Sequence, residues 1–507
     1  MKSFFLFFIF IVATKILSGQ ESRRDNIWML GINNDTTIPK SAINFNSGTA
    51  DTFSFIRSMS IFITNASICD TNGQLLFYTN GNYVSNRLHQ MMPGTAGFNP
   101  GDHTTSTYPY GNGIVQGAMI IPWPERPDKY ILLHMSSDDF WIGGHFYGRP
   151  LSMRYSMIDM VLDSGYGDFT NLKNEILVDD TIVNGRIAAC KHANGRDWWI
   201  LSHEAWSNQF YKFLLTPDTI LMYGSQNIGP VIIPEDDVLG SAVFTNSGDR
   251  LAYLTDSIVT IYDFNRCTGE LNNPIMAYFP DTLSLSMLNC AFSESGRYLY
   301  ACNNFHIFQF DMLAADIPAS KTIVATYDGY ITPQFFRSIF NLMKLAPDHK
   351  IYVSTYEGSS YFHVINSPDS AGLACNVTQH SFVLPSYNAF SMPNTPNYTL
   401  GALDGSVCDS LRNSIPIPES AGNFFSIYPN PANDVINIQL NGNINFSQAN
   451  LIIYNSLGKI VHHSIIKDEN ELHKINLHNL ASGIYICSVI INGEVNYMGK
   501  LSIIRKN

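Results

Sequence analysis

Phe244-Thr-Asn-Ser-Gly-Asp-Arg-Leu-Ala-Tyr253 and Phe292-Ser-Glu-Ser-Gly-Arg-Tyr-Leu-Tyr300 are two versions of one phrase. The first closes on Val259-Thr-Ile-Tyr-Asp263 and the second on Ile307-Phe-Gln-Phe-Asp311. One offset of 48 residues separates Phe244 from Phe292, Gly248 from Gly296, Leu251 from Leu299 and Asp263 from Asp311. A polar turn ending in Gly, followed by an aliphatic-aromatic strand, repeats at the length of a propeller blade rather than of a helical repeat. Fainter copies lie on both sides. Asp70-Thr-Asn-Gly73 leads into Leu75–Tyr78, Arg126-Pro-Asp128 into Tyr130–Leu133, and Asn194-Gly195 into Trp198–Leu201. Ala346-Pro-Asp-His-Lys350 leads into Ile351–Val353 with a turn one residue shorter. Turns near 73, 128, 195, 248, 296 and 349 recur about every 55 residues, as blades with inserted loops would. The expected fold is therefore all-β. It is a β-propeller of about seven blades over residues 24–410, with six or eight also compatible. The strand in Asn26–Ile32 is expected to complete the last blade and hide both sheet edges.

A chain of 507 residues exceeds one ordinary domain. Charged residues make up 14% and aromatic residues 13%, which with abundant Gly, Asn, Ser and Thr suits an extracellular all-β protein. A net charge of -12 argues against nucleic acid as a partner and against adsorption to anionic lipid. Lys2, the apolar run Phe4–Ala13 and the small pair Ser18-Gly19 read as a signal peptide over residues 1–19. No second apolar span of membrane length follows, so no transmembrane segment is expected in the mature chain. Among eight Cys no CxxC occurs, so neither a zinc ribbon nor a thioredoxin-like site is expected. The sequence-near pairs Cys267–Cys290 and Cys375–Cys408 could bridge in an exported protein, and the other Cys read as small buried residues. Thr332–Leu342 reads equally as a short helix or as a loop with a hydrophobic plug.

Residues 411–423 carry two Pro, Ser, Gly and Asn without apolar periodicity and read as a linker. Beyond it, over residues 424–507, Ile-rich alternation gives six or seven short strands, as in a small Ig-like β-sandwich. Phe425-Ser-Ile-Tyr-Pro429-Asn430-Pro431-Ala-Asn-Asp434, Ile453-Tyr-Asn-Ser-Leu-Gly458-Lys-Ile-Val461, Leu480-Ala-Ser-Gly483-Ile-Tyr485 and Lys500-Leu501 stand in this stretch. On those residues it resembles the C-terminal sorting domain of the type IX secretion system of the Bacteroidota. The resemblance implies export through the periplasm to the cell surface or medium, with the secretion machinery and its sortase as partners. It makes Pro429, Asn430, Pro431, Gly458, Gly483, Tyr485 and Lys500 the sorting signal. The main domain resembles secreted propeller-like proteins that carry such tails, and more loosely YVTN and WD-repeat propellers. Pieces such as Gln116-Gly117-Ala118 and Leu403-Asp-Gly405 carry that likeness, which concerns fold and not activity.

No G-x-S-x-G and no H-E-x-x-H occurs, so no catalytic residue is assigned. His203-Glu204, placed at the channel, could form a metal or acid/base pair, and Glu235-Asp236-Asp237 could hold calcium, but structural roles are favoured for both. Asp70-Thr-Asn-Gly73 is a turn, because the twelfth position of a calcium loop falls on Gly81. Neither a metal nor a cofactor is expected. Two long Gly-rich stretches, 94–113 and 138–149, carry Phe98, His103, Tyr108 and Tyr110, and Trp141, His145 and Tyr147. Aromatics exposed on such loops suit stacking on sugars or peptides. The expectation is a binding or adhesion module for glycan or protein. The alternative is a propeller hydrolase or lyase acting on polysaccharide or peptide.

Overall fold

The structure is a computed structural model. It describes residues 22–409 and 425–505 apart from 143–144, 234–236, 238, 280–286, 441–447, 456–459, 468–472 and 492–493, and for 140–148, 425, 440, 484, 490 and 494–500 it describes backbone alone. The expected signal peptide at 1–19 and the linker at 411–423 fall outside the described residues. The chain separates into two compact units, Met1–Ser410 and Leu411–Asn507.

In the first unit the turns singled out above do one job. Ala66–Cys69 and Leu75–Thr79 flank Gly73, and Ala118–Pro122 and Lys129–Ile142 flank Asp128. Ala188–Lys191 and Trp198–His203 flank Gly195, and Ser241–Phe244 and Arg250–Leu254 flank Gly248. Asn289–Phe292 and Tyr298–Cys302 flank Gly296, and Phe340–Leu345 and Ile351–Thr355 flank His349. Each turn thus joins the first two strands of a successive antiparallel sheet. The last four of these sheets are each four-stranded and meander in chain order, ending in Ile220–Asn227, Glu270–Tyr278, Thr322–Thr326 and Val377–Asn388. A three-stranded sheet, Ile27–Met29, Pro39–Asn44 and Asp51–Ile56, precedes them all, making seven sheets among the described residues of this unit.

First strands of neighbouring sheets lie side by side, 241–244 against 289–292 and 289–292 against 340–345. They converge on an axis, and their side chains are small there: Ala188, Ala189, Cys190, Ala242, Cys290 and Ala291 are buried. Second strands lie between neighbouring sheets and are covered on both faces. Trp198–His203 and Tyr298–Cys302 are buried throughout, so they read as continuous apolar runs instead of alternating ones. Fourth strands face solvent, as in Ile220–Asn227. This is a propeller-like all-β fold.

The repeated Asp also has a place. Asp263 pairs with Arg250 at 3.5 Å and Asp311 with Arg297 at 3.1 Å, so the carboxylate ties the end of the third strand to the first turn.

Closure differs from expectation. Ile27 is registered with Asn44, so Ile27–Met29 runs in the direction of the second strands of the other sheets and heads its own sheet, not the last one. The segment 389–397, from the far end of the unit, runs across the axis past the first strands of several sheets. Met392 packs in one cluster with Trp28, Leu30 and Ile43. Asn65 Nδ2 donates to Ser391 Oγ at 2.9 Å, and Asn394 N to Asn65 O at 2.9 Å. With Pro at 393 and 396 this segment cannot donate a full backbone ladder. Side-chain amides substitute: Asn394 Nδ2 donates to Ala118 O at 3.2 Å and Ile187 O at 3.1 Å, and Tyr398 Oη to Ile120 O at 2.7 Å.

The bridge that forms is Cys267–Cys408, with Cα atoms 5.7 Å apart, and not either pair expected from sequence. Cys290 lies on a first strand and Cys375 beneath the seventh sheet, both buried and free, whereas the closing segment brings Cys408 back to the turn that holds Cys267. Thr332–Leu342 is a tight hairpin loop running into the strand Phe340–Leu345, and not a helix.

The second unit has two sheets. Phe425–Tyr428, Val435–Leu440 and His473–Asn476 form one, and Ile460–Ile466, Ala449–Tyr454, Gly483–Ile491 and Glu494–Ile503 the other. Their alternating apolar faces, including Ile436, Ile438, Leu451, Ile453, Val489 and Leu501, share one core.

Candidate functional site

Where the first strands converge, at the end of the sheets that bears the repeated turns, a cavity of about 310 Å³ remains. Its wall is the small-residue zone of the first strands, its rim the turns at Asn246, Glu294 and His349, and one side the closing segment Met392–Leu400. Asn46, Asn246 and Asn289 contribute amides.

Two opposite charges face this space. Burial raises the Asp25 carboxyl above its ordinary range, Lys344 pulls it back down, and Glu294 pushes it further up. Burial pushes the Lys344 ammonium down to about 8, against the pull of Asp25. Lys344 Nζ donates to Thr395 O at 3.5 Å, so the ammonium also holds the closing segment. At the rim His349 Nδ1 lies 3.3 Å from Glu294 Oε2. A carboxyl and an amine with pKa values displaced toward neutrality, in a walled pocket with amides, can bind a small polar or zwitterionic group or exchange protons with it.

The residues singled out from sequence are placed otherwise. Phe98 is 4% exposed and packs on His134 at 4.6 Å and Phe169 at 5.3 Å, so it is core and not a stacking platform. His103 sits buried in the short helix Asp102–Thr107, its Nδ1 3.0 Å from Asp139 Oδ1, while Gly113 N donates to its Nε2 at 3.3 Å. That network sets a neutral tautomer, and burial lowers its pKa despite Asp139. Tyr108 and Tyr110 are exposed. Apart from 143–144, which lie outside the described residues, the stretch 138–149 is strand and not loop: Lys129–Ile142 pairs antiparallel with His145–Asp159. Trp141, His145 and Tyr147 lie at the far end of this pair, where only backbone is described.

His203 does not face the channel. It is wedged between sheets, 4.4 Å from Phe210 and 5.4 Å from Tyr253, and burial lowers its pKa to about 3. Asp237 pairs with the buried Arg186 at 2.7 Å, while Glu235 and Asp236 lie outside the described residues. Asp70 Oδ1 accepts from Asn72 N and Gln74 N, which is a turn. Among the described residues no group of three or more His, Cys, Asp or Glu is placed to hold a metal ion.

Sequence reasoning missed Asp25, Lys344 and the closing segment. The one available signal was Met392-Pro-Asn-Thr-Pro-Asn397, two Pro and two Asn in a stretch with no strand pattern.

In the second unit, Asn430 Oδ1 accepts from Ser502 N at 2.9 Å and Ala432 N donates to Ser502 O at 2.8 Å, so the Pro429–Pro431 turn clips onto the last strand. Tyr485 Oη donates to Ala481 O at 2.9 Å. Gly483 opens the strand Gly483–Ile491, Lys500 is described by backbone alone, and Gly458 falls outside the described residues. Arg505 donates to Asn433 O at 2.8 Å and Leu480 O at 2.6 Å and pairs with Asp434, so this basic residue latches two loops.

The first unit defines the class, a propeller-like all-β protein with a walled axial cavity. Residues 426–504 match the family of secretion system C-terminal sorting domains, and the second unit is such a domain. That tail supports export by the type IX route and contact with its machinery. No curated protein matches the chain. Solved structures resemble it remotely. One is a functionally unknown protein from Desulfotomaculum acetoxidans, 12% identical, covering 73% of this chain and 100% of its own, with a TM-score of 0.38. A putative 6-phosphogluconolactonase from Bacteroides uniformis is 10% identical over 94% of this chain and 100% of its own, TM-score 0.35. The Cps50 (Swd1) β-propeller domain from Myceliophteria thermophila is 10% identical over 70% and 97%, TM-score 0.32. Likeness this slight assigns no function, and the fold rests on the sheets themselves. Among the described residues no helix is long and apolar enough to cross a membrane.

Proposed function

We propose that residues 24–410 form a seven-bladed propeller that works outside the cell as a non-enzymatic recognition module for glycan or protein. The observation that carries this is the cavity of about 310 Å³ with Asp25, Lys344 and amides on its wall. A space of that size takes one small polar group, such as a sugar residue or a peptide end, rather than a whole macromolecule. The partner's remaining surface would lie across the surrounding turns. Equilibrium binding to glycan and peptide arrays tests it: Lys344→Met should weaken the bound ligand at least about tenfold. Turnover of polysaccharide or peptide, abolished by Asp25→Asn, would instead establish the second reading, a hydrolase or lyase. What favours that reading is the Lys344 amine held near 8 beside a raised carboxyl.

Export follows from the tail. Residues 1–19 act as the signal peptide, 411–423 as a linker, and 424–507 as the address, read by the secretion machinery and removed by its sortase in a bacterium of the Bacteroidota. The product is released or attached to the outer membrane surface. Cells producing the chain without 424–507 should retain it in the periplasm; its appearance at the surface or in the medium would overturn this assignment.

A further inference from the structure

At the opposite end of the sheets from the cavity, the loop entering the seventh sheet reads Tyr330-Ile-Thr-Pro-Gln-Phe-Phe336. Phe335 N donates to Thr332 O at 2.9 Å and Thr332 N to Phe336 O at 2.8 Å. This is a three-residue hairpin loop, a turn with Pro333 at its first corner followed by one left-handed residue. Phe335 takes that left-handed position at φ +66°, where Gly is the usual occupant. The same hydrogen-bond pattern recurs at 70–74, 86–90 and 346–350. There the left-handed residue is Gly73, His89, whose ring stacks on Phe55 at 4.0 Å, or His349, bound to Glu294. Phe335 makes no such contact among the described residues and is 89% exposed. A strained position holds an aromatic ring that the fold itself does not use.

Other rings share this end of the seventh sheet. Tyr330 stacks on His380 at 4.0 Å, and Phe336 lies 5.9 Å from Tyr387. Tyr356 is exposed on the adjoining turn. Polar groups stand among these rings. Asp328 bonds His380 at 3.0 Å, and Glu357 takes Arg337 Nε and N and lies under the Tyr387 hydroxyl, which donates to its carbonyl. A protein partner would need a dry apolar centre inside a polar rim. Rings interleaved with carboxylates and a guanidinium match a sugar instead, whose C–H face stacks on an aromatic while its hydroxyls bond to planar polar groups.

We propose that this end of the seventh sheet is a carbohydrate-binding platform with Phe335 as its stacking ring. It rests on the recognition reading in taking the protein as a binding module, but the site is separate from the cavity. The test uses the full chain and affinity electrophoresis through gels cast with a β-glucan, a mannan, a xylan or a galacturonan. At least one polysaccharide should retard the wild type. Phe335→Gly should cut that affinity about tenfold while leaving the melting temperature equal or higher, because Gly relieves the left-handed strain. Unchanged retardation of Phe335→Gly overturns the platform, and so does a protein partner bound through Phe335 with no polysaccharide retained. If retardation is lost in Lys344→Met and kept in Phe335→Gly, the platform falls and the recognition reading stands at the cavity. If no ligand class binds the wild type, both fall.

Discussion

The two ends of the sheets use the same backbone device with opposite outcomes. At the cavity end, left-handed turn positions are filled by Gly, by His349 bound to Glu294, or by Glu125 bound to Arg196 at 3.0 Å. At the other end Phe335 occupies the equivalent position and faces water. The cavity end is crowded because the closing segment lies across it. A Cβ on Gly195 would collide with the backbone nitrogen of Ala402, and one on Gly248 would lie 2.6 Å from Cys190 Sγ and 2.7 Å from Leu400 Cδ2. Phe335 has no such neighbour. A left-handed turn residue therefore serves packing at Gly195 and Gly248, whereas at Phe335 nothing in the fold constrains the residue chosen.

Four changes would sharpen or break that contrast. Gly195→Val should cost more than about 3 kcal/mol, by adding a clash to a disfavoured φ, and denaturant unfolding would show it. Mild behaviour there would mean that the closing segment is not held against the turn. Replacing both Cys267 and Cys408 by Ser should cost about 2–4 kcal/mol, because the closing segment loses its covalent anchor. A melting curve indifferent to reductant would contradict this.

The third concerns pH. Lys344 has a folded pKa of about 8, below its ordinary 10.5. Between those values the unfolded chain binds more protons than the folded one, so stability rises with pH, by at most about 1.4 kcal/mol per unit for one such group. Lys191, also near 8, contributes in the same window. Lys344→Met should remove part of the rise, and an unaltered pH profile would place Lys344 in water. The smallest effect belongs to Phe335→Gly, which should stabilise by about 1 kcal/mol, the reverse of the sign at Gly195.

Much of the scaffold was legible. Asn194-Gly195, Asn246-Ser-Gly248 and Glu294-Ser-Gly296 name their turns because a left-handed residue and its hydrogen bonds lie within six residues of one another. The sorting tail was legible for a similar reason, since its turns and alternation are local. The candidate site was not. Asp25 and Lys344 belong to chain segments more than three hundred residues apart. Phe98 and His103 looked like binding residues because Gly-rich surroundings suggest exposure, yet the long strand pair and the helix Asp102–Thr107 bury both.

Taken by itself, the sequence determined which strands pair through which turns, and that the chain ends in a sorting domain, because these depend on neighbours along the chain. Only the tertiary structure decided that 389–397 crosses the axis, that Cys267 meets Cys408, and that a charged cavity and an exposed Phe335 stand at opposite ends. Those outcomes follow from where the sheets come to rest around one axis, and they join residues between which the sequence carries no periodic signal.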